Sequence, residues 1–570
     1  MDFEKNIILN GYENTELLSY NDFKEGDGST VAFSDLDKSD VPGVLKSCHY
    51  NGEGKLIQTY TEQENHVGVI AATRLGKTTS YVIPTILSFA QKKVKRSMII
   101  SDPKGELYRN TATALKNCGY RVILVNFRDH RHSDFWNPLT PIFREYQKAF
   151  EIEKSVEVFQ TENGLRNRFE GRVYEDQAAL DRDLELAKRM QIDEVGKMID
   201  DISEMLITTE KTSDPYWEDS ARDVLRAFLW AMLEDSRPEN ETGKTLITEE
   251  TYSFNTMLSI LARFNDNGGS SDYDDKGYFS SRGEKSIAYV TIKNVVLENA
   301  STTRKCVMSS FNSKMSVFRS GSMRMITSCN SFEMKELSDG PVALFINYRD
   351  ELKVHYKVIS HLIKDAYCML IEQANASESG KLSAPFYFIL DEFGNFPQMS
   401  DFDTTISACA GRNIFFILII QSYAQLDNVY GDKVSKIIRD NLNVHVFFGS
   451  NNPDTLQEFS RECGEYTRIS PLSALNGSKA EIENYSIETI SRMPKSALSC
   501  LRAGECIVTE ANCGYVLWSK LIRYYQCAEF NDIQKASESE YTCSICPFDE
   551  KYTYEFKVEE SGYRRRGFGF

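Results

Sequence analysis

The stretch HVGVIAATRLGKTTSYVIPTIL, residues 66–87, decides the fold. Val67 to Ala71 reads as a buried strand, Ala71 to Thr78 as a tight loop, and Thr78 to Gln91 as a helix that Pro84 kinks at most. The loop fits the phosphate-cradling pattern GxxxxGK[ST], with Ala71 at the opening position, where glycine is commoner. Backbone N–H groups of such a loop wrap a phosphate, and the following helix presents its positive end to the same anion. The expected cradle runs through Ala71, Ala72, Thr73, Arg74, Leu75, Gly76, Lys77, Thr78 and Thr79. Lys77 is expected to reach the β and γ phosphates of a nucleotide, and Thr78 to give its hydroxyl to Mg²⁺.

Outward from the loop, Ser97 to Ser101 and Arg121 to Asn126 read as apolar strands, with a helix from Leu107 to Asn117 between them. Strand, helix, strand, helix, strand within residues 67–126 means a parallel sheet with right-handed crossovers. Residues 1–55 read as an irregular cap or lead-in strands. After Trp136-Asn137-Pro138-Leu139 the pattern turns helical. One stripe runs through Ala187, Met190, Val195, Met198, Ile202 and Met205, and another through Ala221, Val224, Leu225, Phe228, Leu229 and Met232. Residues 150–325 are therefore expected to form a mainly helical module, broken by a polar loop from Asn265 to Gly277.

Strand character returns at Val342 to Asn347, before a long helix from His355 to Gln373. Pro385 to Leu390 is an apolar strand that ends in Asp391-Glu392. A carboxylate there can hold the Mg²⁺ shell, and a neighbouring Glu can orient and activate the attacking water. The next strand, Asn413 to Ile420, ends in Gln421, where ligands bind in open α/β sheets, so its amide could sense a γ phosphate. Arg412 enters that strand; it reads either as a trans-acting arginine for a neighbouring subunit's nucleotide or as a surface residue. Lys77 and Asp391 stand 314 positions apart, so the helical module reads as an insertion into the sheet domain. The expected divisions are 56–149 and 326–535 for the two parts of the nucleotide-binding domain, 150–325 for the insertion, and 536–570 for a C-terminal tail.

Composition narrows the classes. A formal charge of −17 over 570 residues argues against a surface that wraps duplex DNA non-specifically, while leaving room for a locally basic channel. The clusters Lys92-Lys93-Val94-Lys95-Arg96 and Arg564-Arg565-Arg566 read more readily as solvated faces than as nucleic-acid sites. The longest unbroken apolar run, Ile414 to Ile420, is far short of a membrane span, and no signal-peptide pattern opens the chain. Thirteen irregularly spaced cysteines suggest reduced thiols in a cytoplasm, and Cys543-Ser-Ile-Cys546 reads as a structural pair rather than half a zinc site. A cytoplasmic protein, recruited to the inner face of the membrane by a partner, is the expectation.

Taken in order, HVGVIAATRLGKTTSYVIP, SMIISDPKGELYRNTA, FWNPL, DPYWEDSARDVLRA, FYFILDEFGNFP and QSYAQLDNVYG give the chain a specific signature. On these motifs it resembles the coupling protein ATPases of type IV secretion and conjugation systems, relatives of the FtsK and HerA translocases. The resemblance implies an α/β fold: a RecA-like P-loop nucleotide-binding domain carrying an inserted all-helical domain, active as a homo-hexamer. It implies ATP and Mg²⁺ as cofactors, with Lys77 and Thr78 on phosphate and metal, Asp391 on the metal, Glu392 activating water, and Gln421 as sensor. Arg412 matches the family's trans-acting arginine only approximately.

Implied partners are a relaxase with its single-stranded DNA, or protein substrates, together with secretion-channel components and a separate membrane anchor. Two departures stand out: no transmembrane helix is visible, and Arg74 and Leu75 replace the small residues usual before Gly76. Two alternatives stay open, a soluble DNA-translocating motor outside secretion and a nucleotide-binding substrate receptor without appreciable hydrolysis. Acidic pairs in the insertion, Asp193-Glu194 and Asp200-Asp201, suit a basic protein partner or are simply a charged surface.

Overall fold

Before the phosphate loop the chain forms β1 (Glu16–Ser19) and a small antiparallel sheet of β2 (Thr30–Ala32), β3 (Leu45–Tyr50) and β4 (Leu56–Tyr60), in the order β2-β4-β3. The computed structural model describes residues 16–541 apart from 28, 162–163, 209–214, 238–245, 266–277, 353–354, 472–484, 532–534 and 538–539. The loop of Asn265 to Gly277 lies almost wholly outside the described residues, as do Cys543, Cys546 and Arg564 to Arg566.

Next come β5 (Val67–Ala71), β6 (Ser97–Asp102) and β7 (Arg121–Asn126), connected through α1 (Ile83–Gln91) and α2 (Glu106–Asn117). A later set comprises β8 (Glu157–Thr161), β9 (Gly164–Phe169), β10 (Arg172–Tyr174), β11 (Val342–Asn347), β12 (Phe386–Leu390), β13 (Ile414–Ile420) and β14 (Val444–Gly449). A hairpin, β15 (Glu465–Pro471) with β16 (Tyr485–Ser491), and then β17 (Glu505–Glu510) and β18 (Tyr515–Lys520) complete the strands.

Ten strands build one sheet in the order β1-β18-β17-β14-β5-β13-β12-β6-β11-β7. The three strands read first from the sequence are not neighbours: β13 and β12 enter between β5 and β6, and β11 between β6 and β7. The central pairs β14/β5, β5/β13, β13/β12, β12/β6 and β6/β11 are parallel, and β17 and β18 extend the sheet antiparallel. Every residue of β5, β6, β12 and β13 is buried, which is why these strands are near-continuous apolar runs.

The described parts of Met1–Leu124, Met334–Asp350 and Ala366–Glu540 form one compact unit, and those of Val125–Glu333, Glu351–Asp365 and Tyr541–Phe570 a second. The insertion therefore begins earlier than residue 150, inside β7. It is helical, with α3 (Thr140–Glu151), α4 (Gln177–Leu206), α5 (Pro215–Glu234), α6 (Phe254–Asn265), α7 (Ile287–Ile292), α8 (Ser301–Lys314) and α9 (Gly321–Ile326). It is not purely so: β8, β9 and β10 form a three-stranded antiparallel sheet, from a segment whose polar strands carry no strong period.

The stripe read on α5 is buried throughout. On α4 only the C-terminal half follows its stripe; Val195 and Ile202 are buried, while Met190 stays 64% exposed. Asp200 pairs with Arg226 at 2.6 Å, Asp201 with Lys364 at 3.1 Å and Glu194 with Lys197 at 2.8 Å, so three of the four acids expected to face a partner are paired within this unit.

Two members of the first basic cluster are interior groups rather than a solvated face. Lys92 is buried, donates to the carbonyls of Pro42 and Gly43, and stands 3.9 Å from the Tyr60 ring centre; Arg96 is buried against Glu64. Burial, reinforced by nearby Arg96, holds the Lys92 pKa well below the ordinary lysine range.

Candidate nucleotide site

The loop leaves β5 at Ala71, which is buried, and turns through Arg74 and Gly76, both at positive φ, 69° and 86°. Gly76 suits that conformation, whereas a non-glycine residue such as Arg74 adopts it at a cost. The unusual Leu75 is accommodated by Gly449 at the end of β14, where an added Cβ would stand 3.1 Å from Leu75 Cδ1. The N–H of Ala72 donates to the carbonyl of Gly449 at 2.9 Å, and the Thr79 hydroxyl to that of Gly76 at 3.2 Å, so both groups brace the loop itself. Thr73 and Arg74 are exposed, and Leu75 to Thr79 are half-buried.

Pro84 has more effect than a kink. The turn before it, Thr78–Val82, is π-helical, with the Ile83 N–H bonded to the Thr78 carbonyl before α1 begins. Proline cannot donate the backbone bond an α-helix needs there, and a wide turn relieves the resulting conflict.

Lys77, Glu392 and Gln421 follow β5, β12 and β13, three adjacent parallel strands, and their side chains converge. Lys77 Nζ lies 2.9 Å from Asp391 Oδ1 and 2.6 Å from Glu392 Oε1. Gln421 Nε2 donates to the other Glu392 oxygen at 2.9 Å. Glu392 sits at φ 55°, in the left-handed region, and Phe393 behind it is buried among Phe396, Phe402 and Tyr430. The backbone strain at Glu392 is thus held by an aromatic anchor, which fixes the turn that presents its carboxylate. Burial pushes the Asp391 pKa up despite the lysine; Lys77 is also raised, because the two carboxylates outweigh its own burial.

Sequence reading missed several supporting residues. Gly394 packs against Gln425, whose Oε1 would be 2.6 Å from an added Cβ and accepts the Gln421 N–H at 2.9 Å. Both lie inside the quoted motifs, as the second glycine-bearing turn and the second glutamine, and that spacing was the available signal. Ser101 donates to the Asp391 carbonyl at 2.9 Å. Asp102, opening DPKGE, is buried and accepts the Tyr108 N–H at 2.8 Å; burial, aided by the charge of Asp391, pushes its pKa up to about 7.

Arg412 is not brought to this cluster. It lies at the entrance of β13, the opposite end from Gln421, and bonds Asn375 Oδ1 at 2.9 Å and the Ala408 carbonyl at 2.8 Å. A seven-residue strand separates the two ends by roughly 20 Å or more. A role for Arg412 at a nucleotide therefore requires another subunit's site.

The residues fit a Mg²⁺-bound nucleotide. Among the described residues no group of three or more His, Cys, Asp or Glu could form an all-protein metal cage. Mg²⁺ is characteristically bound through one or two carboxylates together with phosphates and water, and a buried Asp391 whose charge Lys77 only partly offsets is such a ligand.

A phosphate loop, an acidic strand end two strands away and an amide on the strand between them define an α/β, RecA-like P-loop protein with a helical insertion. The chain belongs to the family described as type IV secretory system conjugative DNA transfer, whose model matches residues 29–542. It is similar to protein VirD4 of Rhizobium radiobacter, 22% identical over 407 residues that cover 71% of this chain and 49% of VirD4. It is similar as well to conjugal transfer protein TraG of Escherichia coli, 22% identical over 445 residues, 76% of this chain and 60% of TraG. The chain thus spans about half the length of these curated relatives, or somewhat more. Plasmid coupling protein TrwB, solved in complex with ADP and Mg²⁺, has the same fold, with a TM-score of 0.54 at 13% identity over 92% of this chain and 97% of that one. No helix among the described residues is long and apolar enough to cross a membrane.

Proposed function

We propose that this chain binds ATP with Mg²⁺ and hydrolyses it as the coupling ATPase of a conjugative type IV secretion system. In that role it passes relaxase-bound single-stranded DNA, or a protein substrate, to the channel. The observation that carries the reading is the convergence of Lys77, Asp391, Glu392 and Gln421 at the carboxyl ends of three adjacent parallel strands. Family membership supports the coupling role, and the TrwB complex with ADP and Mg²⁺ supports the cofactors.

Lys77 exchanges its carboxylate partners for the β and γ phosphates. That frees Glu392 to take a proton from the attacking water, with Gln421 holding the carboxylate in register. Thr78 and Asp391 would hold Mg²⁺, which neutralises developing phosphate charge when bound. Arg412, remote from its own site, acts in trans across a homo-hexamer, and recruitment to the membrane runs through a separate partner.

The test is ATP turnover by the purified chain with and without single-stranded DNA. DNA-stimulated turnover is expected, falling by about a thousandfold in Glu392→Gln with ATP binding retained, and lost together with binding in Lys77→Ala. Turnover that persists in both variants would refute the site, and wild-type binding without turnover would refute the motor.

A further inference from the structure

The segment after β18 crosses to the phosphate loop and is pinned on both sides. The Leu521 N–H donates to the Gly504 carbonyl at 2.8 Å and the Ile522 N–H to the Cys48 carbonyl at 3.0 Å. The Tyr524 hydroxyl then donates to Asn110 Oδ1 of α2 at 3.0 Å. Between these anchors stands Arg523, whose Nε would lie 4.0 Å from a Cβ built on Gly76. Its Nη1 donates to the Tyr525 hydroxyl at 2.8 Å, and among the described residues it has no carboxylate partner. Arg96, Arg144, Arg226, Arg282 and Arg439, by contrast, are each taken up by an acid.

The charge balance of the site gives that arginine a purpose. Lys77 faces two carboxylates, so the cluster is one negative charge in excess before any phosphate arrives. A bound di- or triphosphate adds several more negative charges, and Lys77 serves only the β and γ end. A guanidinium against Gly76, where the loop's N–H groups cradle the α and β phosphates, meets that need with a planar fork suited to phosphate oxygens.

We propose that Arg523 is a phosphate-binding residue of the chain's own nucleotide site. It grips the diphosphate portion common to ADP and ATP, and the Tyr525 hydroxyl aims it. The assignment rests on the nucleotide site proposed above.

The test is titration of the full chain with Mg²⁺-ADP and Mg²⁺-ATP, alongside steady-state turnover. Arg523→Ala is expected to weaken both nucleotides alike, by roughly tenfold or more, and to raise KM more than it lowers kcat. Arg523→Lys restores part of the affinity, and Tyr525→Phe gives a smaller loss. ADP affinity in Arg523→Ala equal to wild type would overturn the assignment and leave the Lys77 site standing. A wild-type chain that binds neither nucleotide would overturn the site and the assignment together. Tyr524→Phe loosens the same segment without touching the guanidinium. If it weakens ADP as much as Arg523→Ala at an equal drop in melting temperature, Arg523 only braces the segment and the assignment fails.

Discussion

The charges at the carboxyl edge of the large sheet and those on α4 are made of the same residue types at the same distances. Lys77 lies 2.9 Å and 2.6 Å from its carboxylates, and Lys197 2.8 Å from Glu194. Their surroundings differ: the Lys77 side chain is 11% exposed and those of Asp391 and Glu392 10%, against 72% for Lys197 and 52% for Glu194. In a poorly solvated site each charge depends on its partner, whereas water and salt supply most of what an exposed charge needs. Burial, not separation, decides which ion pairs matter.

The largest effect that sharpens the contrast is Lys77→Ala. It leaves Asp391 and Glu392 facing each other without a cation, and breaking a buried pair of this kind costs about 3 kcal/mol. Urea unfolding without nucleotide should show that loss, and the double variant Lys77→Ala/Glu392→Gln should recover part of it by removing one of the stranded charges. A single variant as stable as wild type would mean that the edge is solvated like α4.

Asp102 offers a second test at the same edge. Its pKa, about 7 against 3.8 unperturbed, means that the folded chain holds a proton the unfolded chain has released. Stability from this group is present at low pH, falls as pH rises from about 4 to about 7, and is level above that. Asp102→Asn keeps an acceptor for the Tyr108 N–H and carries no charge. It should therefore gain on wild type between pH 5 and pH 8, by about 2 kcal/mol. A stability gap that does not change with pH would contradict the burial argument.

What could be read from the sequence follows the same line. The loop of 71–79, the acidic pair at 391–392 and the amide at 421 were legible because buried parallel strands leave continuous apolar runs with polar residues at their ends. The order of those strands was not legible. Nothing local in Ile414 to Ile420 says that it lies between β5 and β12, since long-range pairing is decided by the packed sheet. Arg523 and Gly449 were invisible for the same reason: each meets the loop from hundreds of residues away. The basic run at 92–96 misled because charge on a surface and charge in an interior look identical in a string; only the fold brings Lys92 to the carbonyls of Pro42 and Gly43.

A smaller effect probes packing at the edge. Gly449, at φ 131° and tight against Leu75, should lose about 1–2 kcal/mol on substitution by alanine, through backbone strain and a displaced Leu75. Because Ala72 bonds the Gly449 carbonyl, the same change should weaken nucleotide binding measured by titration. Unchanged stability and affinity would show that the loop does not depend on β14 for its shape.

The smallest effect closes the contrast from the other side. Glu194→Ala removes the acid of an exposed pair three residues apart on α4 and leaves Lys197 in water. Such pairs gain little, because the solvated ions lose almost as much hydration and side-chain freedom as they gain in attraction. Thermal melting at low and at high salt should therefore coincide with wild type, in a helix whose stability comes from buried residues such as Val195, Ile199 and Ile202. A salt-sensitive drop comparable to that of Lys77→Ala would mean that distance, rather than burial, ranks the charges of this chain. The acidic surface of the helical unit would then have to be counted among the interactions that hold it together.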